Sequence, residues 1–132
     1  MGNPKILITD DMPSMRTMLK SILIHAGFLN LVEADNGHAA IDLLRESRFD
    51  LVICDWDMPR MSGIQVLETI RADDKLQKMP FIMVTANADR DKVTQAINAG
   101  TDGYIIKPLQ PETLTGLVNK LLGAGESVRA ST

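Results

Sequence analysis

Short apolar runs alternate with amphipathic stretches along the whole chain, and that alternation leaves few folds open. Strand-like runs read at 5–9, 30–34, 50–54, 80–85 and 102–106, and helix-like stretches at 13–26, 37–47, 63–72, 89–99 and 110–122. Runs such as Lys5-Ile6-Leu7-Ile8-Thr9 and Leu51-Val52-Ile53-Cys54 lack a polar residue at every second place, which marks strands buried on both faces. Met15, Leu19, Ile22 and Leu23 form one stripe on the first helix, at the spacing of a half-buried helix. Pro13 suits a first helical turn, Asp89 an N-cap, and Gly27 and Gly100 the ends of helices. Gly116 lies inside the last helix and weakens it by ~1 kcal/mol relative to Ala. Repeated strand–helix units predict an α/β fold: one parallel sheet, right-handed crossovers and helices on both faces.

A length of 132 residues suits one domain with a sizeable core. With 45% apolar and 23% charged residues, the composition is that of a soluble globular domain. A net charge of −3 argues against nucleic acid or an anionic membrane as partner. The single cysteine, Cys54, excludes a disulfide within the chain and fits a reducing compartment. No apolar stretch approaches the ~18 residues of a membrane span, and the start, Met1-Gly2-Asn3-Pro4-Lys5, lacks the apolar core of a signal peptide. A cytoplasmic location is expected. The tail from Gly123 to Thr132 is small and polar, and disorder is expected there.

In such a sheet, ligands bind beyond the carboxyl ends of the strands, where the winding reverses. The polar residues at those ends are Asp10 and Asp11, Asp55 and Asp57, Thr85, and Lys107. Carboxylates gathered at one edge disfavour each other's ionisation, and a divalent cation is the usual remedy. Acids, a hydroxyl and a lysine converging there can hold a phosphoryl group, with the cations taking its oxygens and the hydroxyl donating a hydrogen bond.

The stretches ITDDMPSMR, CDWDMPRMSG, MVTAN and GYIIKP carry a family resemblance. In order and spacing the chain resembles a response-regulator receiver domain over roughly residues 5–122, and most closely the CheY-like single-domain chemotaxis regulators. The resemblance implies a flavodoxin-like (βα)5 doubly wound parallel sheet of strand order 2-1-3-4-5. It implies that Asp55 accepts a phosphoryl group from a histidine kinase, with one Mg²⁺ ion held by Asp10, Asp11, Asp55 and the backbone carbonyl of Asp57. It further implies that Lys107 pairs with the phosphoryl group, that Thr85 bonds one of its oxygens, and that Tyr104 turns inward as a switch. The Lys107–Pro108 peptide is expected to be cis. The family's partners are a histidine kinase and, for chemotaxis members, the flagellar motor switch protein and a phosphatase. The chain itself is expected to be a monomer and no enzyme beyond self-phosphorylation and autodephosphorylation.

Other residues give more open readings. Asp10-Asp11 also suits an N-cap pair for the first helix, and Tyr104 suits a half-buried strand aromatic. Trp56 is expected at the rim of the site, where it serves as a fluorescent reporter. Asp57 stands where enteric relatives carry a neutral amide, so Asp57 and Asn87 are expected to tune hydrolysis of the acyl phosphate. Cys54 precedes Asp55 on its strand and faces the other side of the sheet. Two other functions compete with a binding switch. One is a phosphate sink or relay intermediate. The other is a haloacid-dehalogenase-like phosphatase, suggested by the Asp-x-Asp spacing of Asp55 and Asp57.

Overall fold

A computed structural model describes residues 3–130, with side chains described over 3–123. Along the chain the elements are β1 (Lys5–Thr9), α1 (Pro13–His25), β2 (Asn30–Ala34), α2 (Gly37–Glu46), β3 (Leu51–Asp55), α3 (Gly63–Ala72), β4 (Phe81–Thr85), α4 (Arg90–Ala99), β5 (Gly103–Ile106) and α5 (Pro111–Ala130). All strand pairings are parallel, and the sheet order is β2-β1-β3-β4-β5. This is the flavodoxin-like arrangement that the resemblance implied.

The two faces of the sheet bury two separate apolar clusters. Ile6, Ile8, Ile53, Ile82, Val84 and Ile105 meet Leu19 and Leu23 of α1 and Leu114 and Val118 of α5. Leu7, Val52, Cys54, Phe81 and Met83 meet α2, α3 and α4 through residues such as Ile41, Leu44, Val66, Leu67, Ile70 and Ala96. Alternate residues of one strand thus enter opposite cores. Every position of β3 and β4 is buried, whereas the outer strands β2 and β5 keep exposed positions. A central strand covered on both faces has no place for polar alternation, which explains the continuous apolar runs.

Helix ends follow local chemistry. Asn36 caps α2 by accepting the Ala39 amide, and Ser62 with Gln65 forms a capping box at α3; such caps contribute ~1 kcal/mol each. Asp89 caps α4, and Gly100 ends it at φ 98°, in the left-handed region that glycine enters at little cost. At α1 the N-cap is Met12, without a side-chain cap. The acids before it are therefore not the helix caps.

The end of β3 differs from expectation. Asp55 is the last residue of β3, paired with Val84 of β4, not the first residue beyond the strand; the parallel ladder outlasts the apolar run because Trp56 N–H still donates to the Val84 carbonyl at 2.9 Å. The last helix, α5, runs from Pro111 to Ala130. Residues 131 and 132 lie outside the described residues.

Candidate functional site

The chain runs from β1 outward to β2 and then returns to the other side of β1 to form β3. The winding reverses there, which leaves a crevice at the carboxyl ends of β1 and β3. Thr9 is level with Cys54 in the ladder, so the next step brings Asp10 level with Asp55. Both are almost fully buried, at 1% and 3% exposure. Asp11 follows on the solvent side, and one carboxylate oxygen from each of Asp10, Asp11 and Asp55 lies within 4.8 Å of the others.

Few donors serve these oxygens. Asp10 Oδ1 accepts the Met12 amide at 2.9 Å, but its buried Oδ2 has no hydrogen-bond partner. Lys107 Nζ lies 2.9 Å from Asp55 Oδ1. That is an ion pair set off the line of an aligned hydrogen bond, so the oxygen keeps unused accepting capacity. Leaving a buried carboxylate oxygen without a partner, as at Asp10 Oδ2, is costly. The electrostatics record it. Burial pushes the Asp55 carboxyl up to about 6, with the Asp10 and Asp57 charges adding to the rise and Lys107 opposing it. Burial also raises Asp10, with Asp11 adding to the effect and the Met12 amide and Lys107 opposing it. For Lys107, burial favours the neutral amine, but contact with Asp55 and the charges of Asp10 and Asp57 outweigh it and raise its pKa.

A divalent cation fits this arrangement. The donors are all oxygens, two of them buried without an aligned partner, and hard cations such as Mg²⁺ take oxygen ligands while keeping several waters. A cation would offset both the burial that chiefly raises the two carboxyls and the repulsion that adds to it.

The rest of the site comes from β4 and β5. Thr85 ends β4 at 1% exposure, and its Oγ1 accepts the Asn87 amide at 3.1 Å. Lys107 follows β5, before a cis Lys107–Pro108 bond. Tyr104 is half-buried; its hydroxyl donates to the Asn87 carbonyl at 2.9 Å, and its ring meets Trp56 edge-on at 6.5 Å between centroids. Trp56 is only 6% exposed. The Lys92 ammonium covers it from α4, 5.0 Å from the ring centre. Asp57 is exposed beside the crevice. The Asn87 side chain accepts the Asp89 amide at 2.8 Å, so it shapes the turn into α4.

Two contributors escape a linear reading. A Cβ on Gly63 would stand 2.3 Å from the Asp55 carbonyl oxygen, so glycine is what lets α3 start against the acceptor strand. Arg16 donates from Nη1 to the Asp10 carbonyl at 2.7 Å. Both residues end stretches quoted above for the family resemblance, ITDDMPSMR and CDWDMPRMSG, but the role of each shows only in the packing.

The response regulator receiver domain model matches residues 6–119. The chain belongs to the response regulator receiver family. Within it, the chain is 43% identical to chemotaxis protein CheY of Pseudomonas aeruginosa over 117 residues, covering 89% of this chain and 94% of that protein. It is 44% identical to CheY-3 of Vibrio cholerae over 119 residues, covering 90% of this chain and 92% of that protein. Among solved structures, chemotaxis protein CheY4 of Vibrio cholerae matches with a TM-score of 0.85 at 30% identity, over 92% of this chain and all of that one. The chain is thus a CheY-like receiver domain. Among the described residues, no helix is long and apolar enough to cross a membrane.

Proposed function

We propose that this receiver domain is a phosphorylation-driven binding switch, phosphorylated on Asp55 by a histidine kinase and acting in chemotaxis or flagellar motor control. The observation that carries the reading is the convergence of Asp55, Asp10, Asp11 and Lys107 at one strand edge, where buried Asp10 Oδ2 has no partner and Asp55 Oδ1 has only the Lys107 ion pair. Asp10, Asp11, Asp55 and the Asp57 carbonyl are the groups that would hold Mg²⁺, which when bound supplies positive charge that draws in the phosphoryl oxygens and favours the ionised form of the acids.

Asp55 acts as the nucleophile. A carboxylate oxygen forms a bond to phosphorus as the N–P bond of the donor phosphohistidine breaks, and the imidazole leaves as the neutral base once protonated. The product is an acyl phosphate. Lys107, already 2.9 Å from Asp55 Oδ1, follows the charge onto the phosphoryl oxygens. The Thr85 hydroxyl is the donor for another oxygen. Reaching it draws on the strand end that also carries the Asn87 amide contact, and Asn87 in turn holds the Tyr104 hydroxyl. The new group brings about −1.5 to −2 charge, and it favours whichever arrangement of Thr85, Asn87 and Tyr104 it contacts best. The output is then a changed protein-binding surface in the cytoplasm, with the flagellar switch protein as partner. The domain performs no turnover on a separate substrate.

Transfer from a labelled, phosphorylated histidine kinase core tests the reading. Label is expected to move to this chain in the presence of Mg²⁺ and not to Asp55→Asn. Label that moves equally to Asp55→Asn would overturn it.

A further inference from the structure

Arg16 sits on the first turns of α1, its side chain 16% exposed. Its guanidinium makes two hydrogen bonds to two other elements. Nη1 donates to the carbonyl oxygen of Asp10 at 2.7 Å, and Nε donates to Glu33 Oε1 on β2 at 2.8 Å. The second Glu33 oxygen takes Lys20 Nζ at 2.7 Å, and the two cations hold the Glu33 carboxyl below its usual range, Lys20 first and Arg16 next.

The carbonyl that Arg16 holds lies just past the end of β1, in the peptide joining Asp10 to Asp11. The two acids are fixed differently. Asp10 is buried and its carboxylate is tied to the Met12 amide. Asp11 reaches solvent, and among the described residues no hydrogen bond to its side chain fixes its direction. Its carboxylate is therefore aimed by the peptide from which it hangs. We infer that Arg16 is a positioning residue of the metal site, clamping the Asp10–Asp11 peptide between α1 and β2 so that Asp11 faces the crevice with Asp10 and Asp55.

The chemistry suits the task. A guanidinium is a rigid fork that makes both bonds at once, whereas a lysine ammonium is a point charge on a flexible stem. Glu33 takes both Arg16 and Lys20, so the clamp keeps net positive charge, and Arg16 helps to lower the Asp10 carboxyl against the rise from burial. Arg16→Lys, which keeps that charge, separates the fork from the charge. Partners in this outer position orient ligands without touching the metal. The inference rests on the Mg²⁺ reading above, and its test separates the two.

Mg²⁺ is titrated into the full chain and followed by Trp56 fluorescence, for the original sequence and for Arg16→Met, Arg16→Lys and Lys20→Met. Loss of outer partners typically costs 10–100-fold in metal affinity, so Arg16→Met is expected to weaken Mg²⁺ about tenfold or more, with Lys20→Met staying within about twofold. Lys20→Met is the control because it breaks the other Glu33 ion pair without touching Asp10. Arg16→Lys keeps the charge but not the fork, and is expected to recover little. It also replaces Arg16→Met should that variant fail to fold. A readout free of metal accompanies the titration: amide hydrogen exchange at Asp11 and Met12 should quicken in the Arg16 variants and not in Lys20→Met. Unchanged Mg²⁺ affinity in the Arg16 variants overturns the inference, as does equal weakening in Lys20→Met, which would mean a general loss of stability. If the original chain itself binds no Mg²⁺, the metal reading falls first.

Discussion

Asp55→Asn should make the metal-free protein more stable, although it destroys the proposed acceptor. The fold raises the Asp55 carboxyl from 3.8 to about 6. A group with a raised pKa binds its proton more tightly folded than unfolded, so its ionisation opposes folding. The penalty is absent below about pH 4, grows as pH rises towards 6, and is complete above that. The gap between 3.8 and about 6 corresponds to about 3 kcal/mol. Asparagine has the shape of the protonated acid, so it escapes that penalty. Lys107 loses its ion-pair partner, but that pairing is already included in the position of the Asp55 pKa, and its side chain keeps 19% exposure through which to be hydrated. The net gain expected at neutral pH is ~1–3 kcal/mol, or up to roughly 10 °C in Tm for a domain of this size. Urea unfolding with a chelator present measures it. The advantage should shrink towards zero near pH 4. Saturating Mg²⁺ should reverse it, because a ligand that binds only the folded form stabilises by mass action and the variant lacks one ligand. If Asp55→Asn is no more stable than the original at neutral pH without metal, the strained acid cluster is not what the structure says it is.

Mg²⁺ affinity should fall as pH drops through about 6, by roughly tenfold per pH unit where one proton competes with the ion, and calorimetric titration across that range checks it. Gly63→Ala should cost at least ~2 kcal/mol of unfolding free energy, since overpacking against backbone is not relieved by a side-chain rotation; a Cβ there would meet the Asp55 carbonyl at 2.3 Å. Thr9→Val should stabilise by ~1 kcal/mol, because it removes a buried hydroxyl without a partner while keeping its shape. Urea midpoints read both.

Much of the architecture is legible in the chain because its strands are short, buried and separated by helices with clear caps. Asp89 and Gly100 mark α4 by chemistry that acts within a few residues. The acid cluster is legible for the same reason: each acid directly follows or ends an apolar run, and topology brings those ends together. What is not legible depends on distance. Placing Asp55 inside β3 needed the pairing with β4. The burial of Trp56 needed Tyr104 and Lys92, which approach it from β5 and α4. Arg16 reaches Glu33 across 17 positions of sequence, and no periodicity marks which arginine on an exposed helical face turns back onto a strand end.

The most direct test of the account is intact mass after incubation with a small phosphodonor, with Mg²⁺ and again with chelator. One added phosphoryl group in the presence of Mg²⁺, absent with chelator and absent from Asp55→Asn, is the predicted result. A phosphoryl group that still appears on Asp55→Asn, or that forms as readily without a divalent cation, would contradict it.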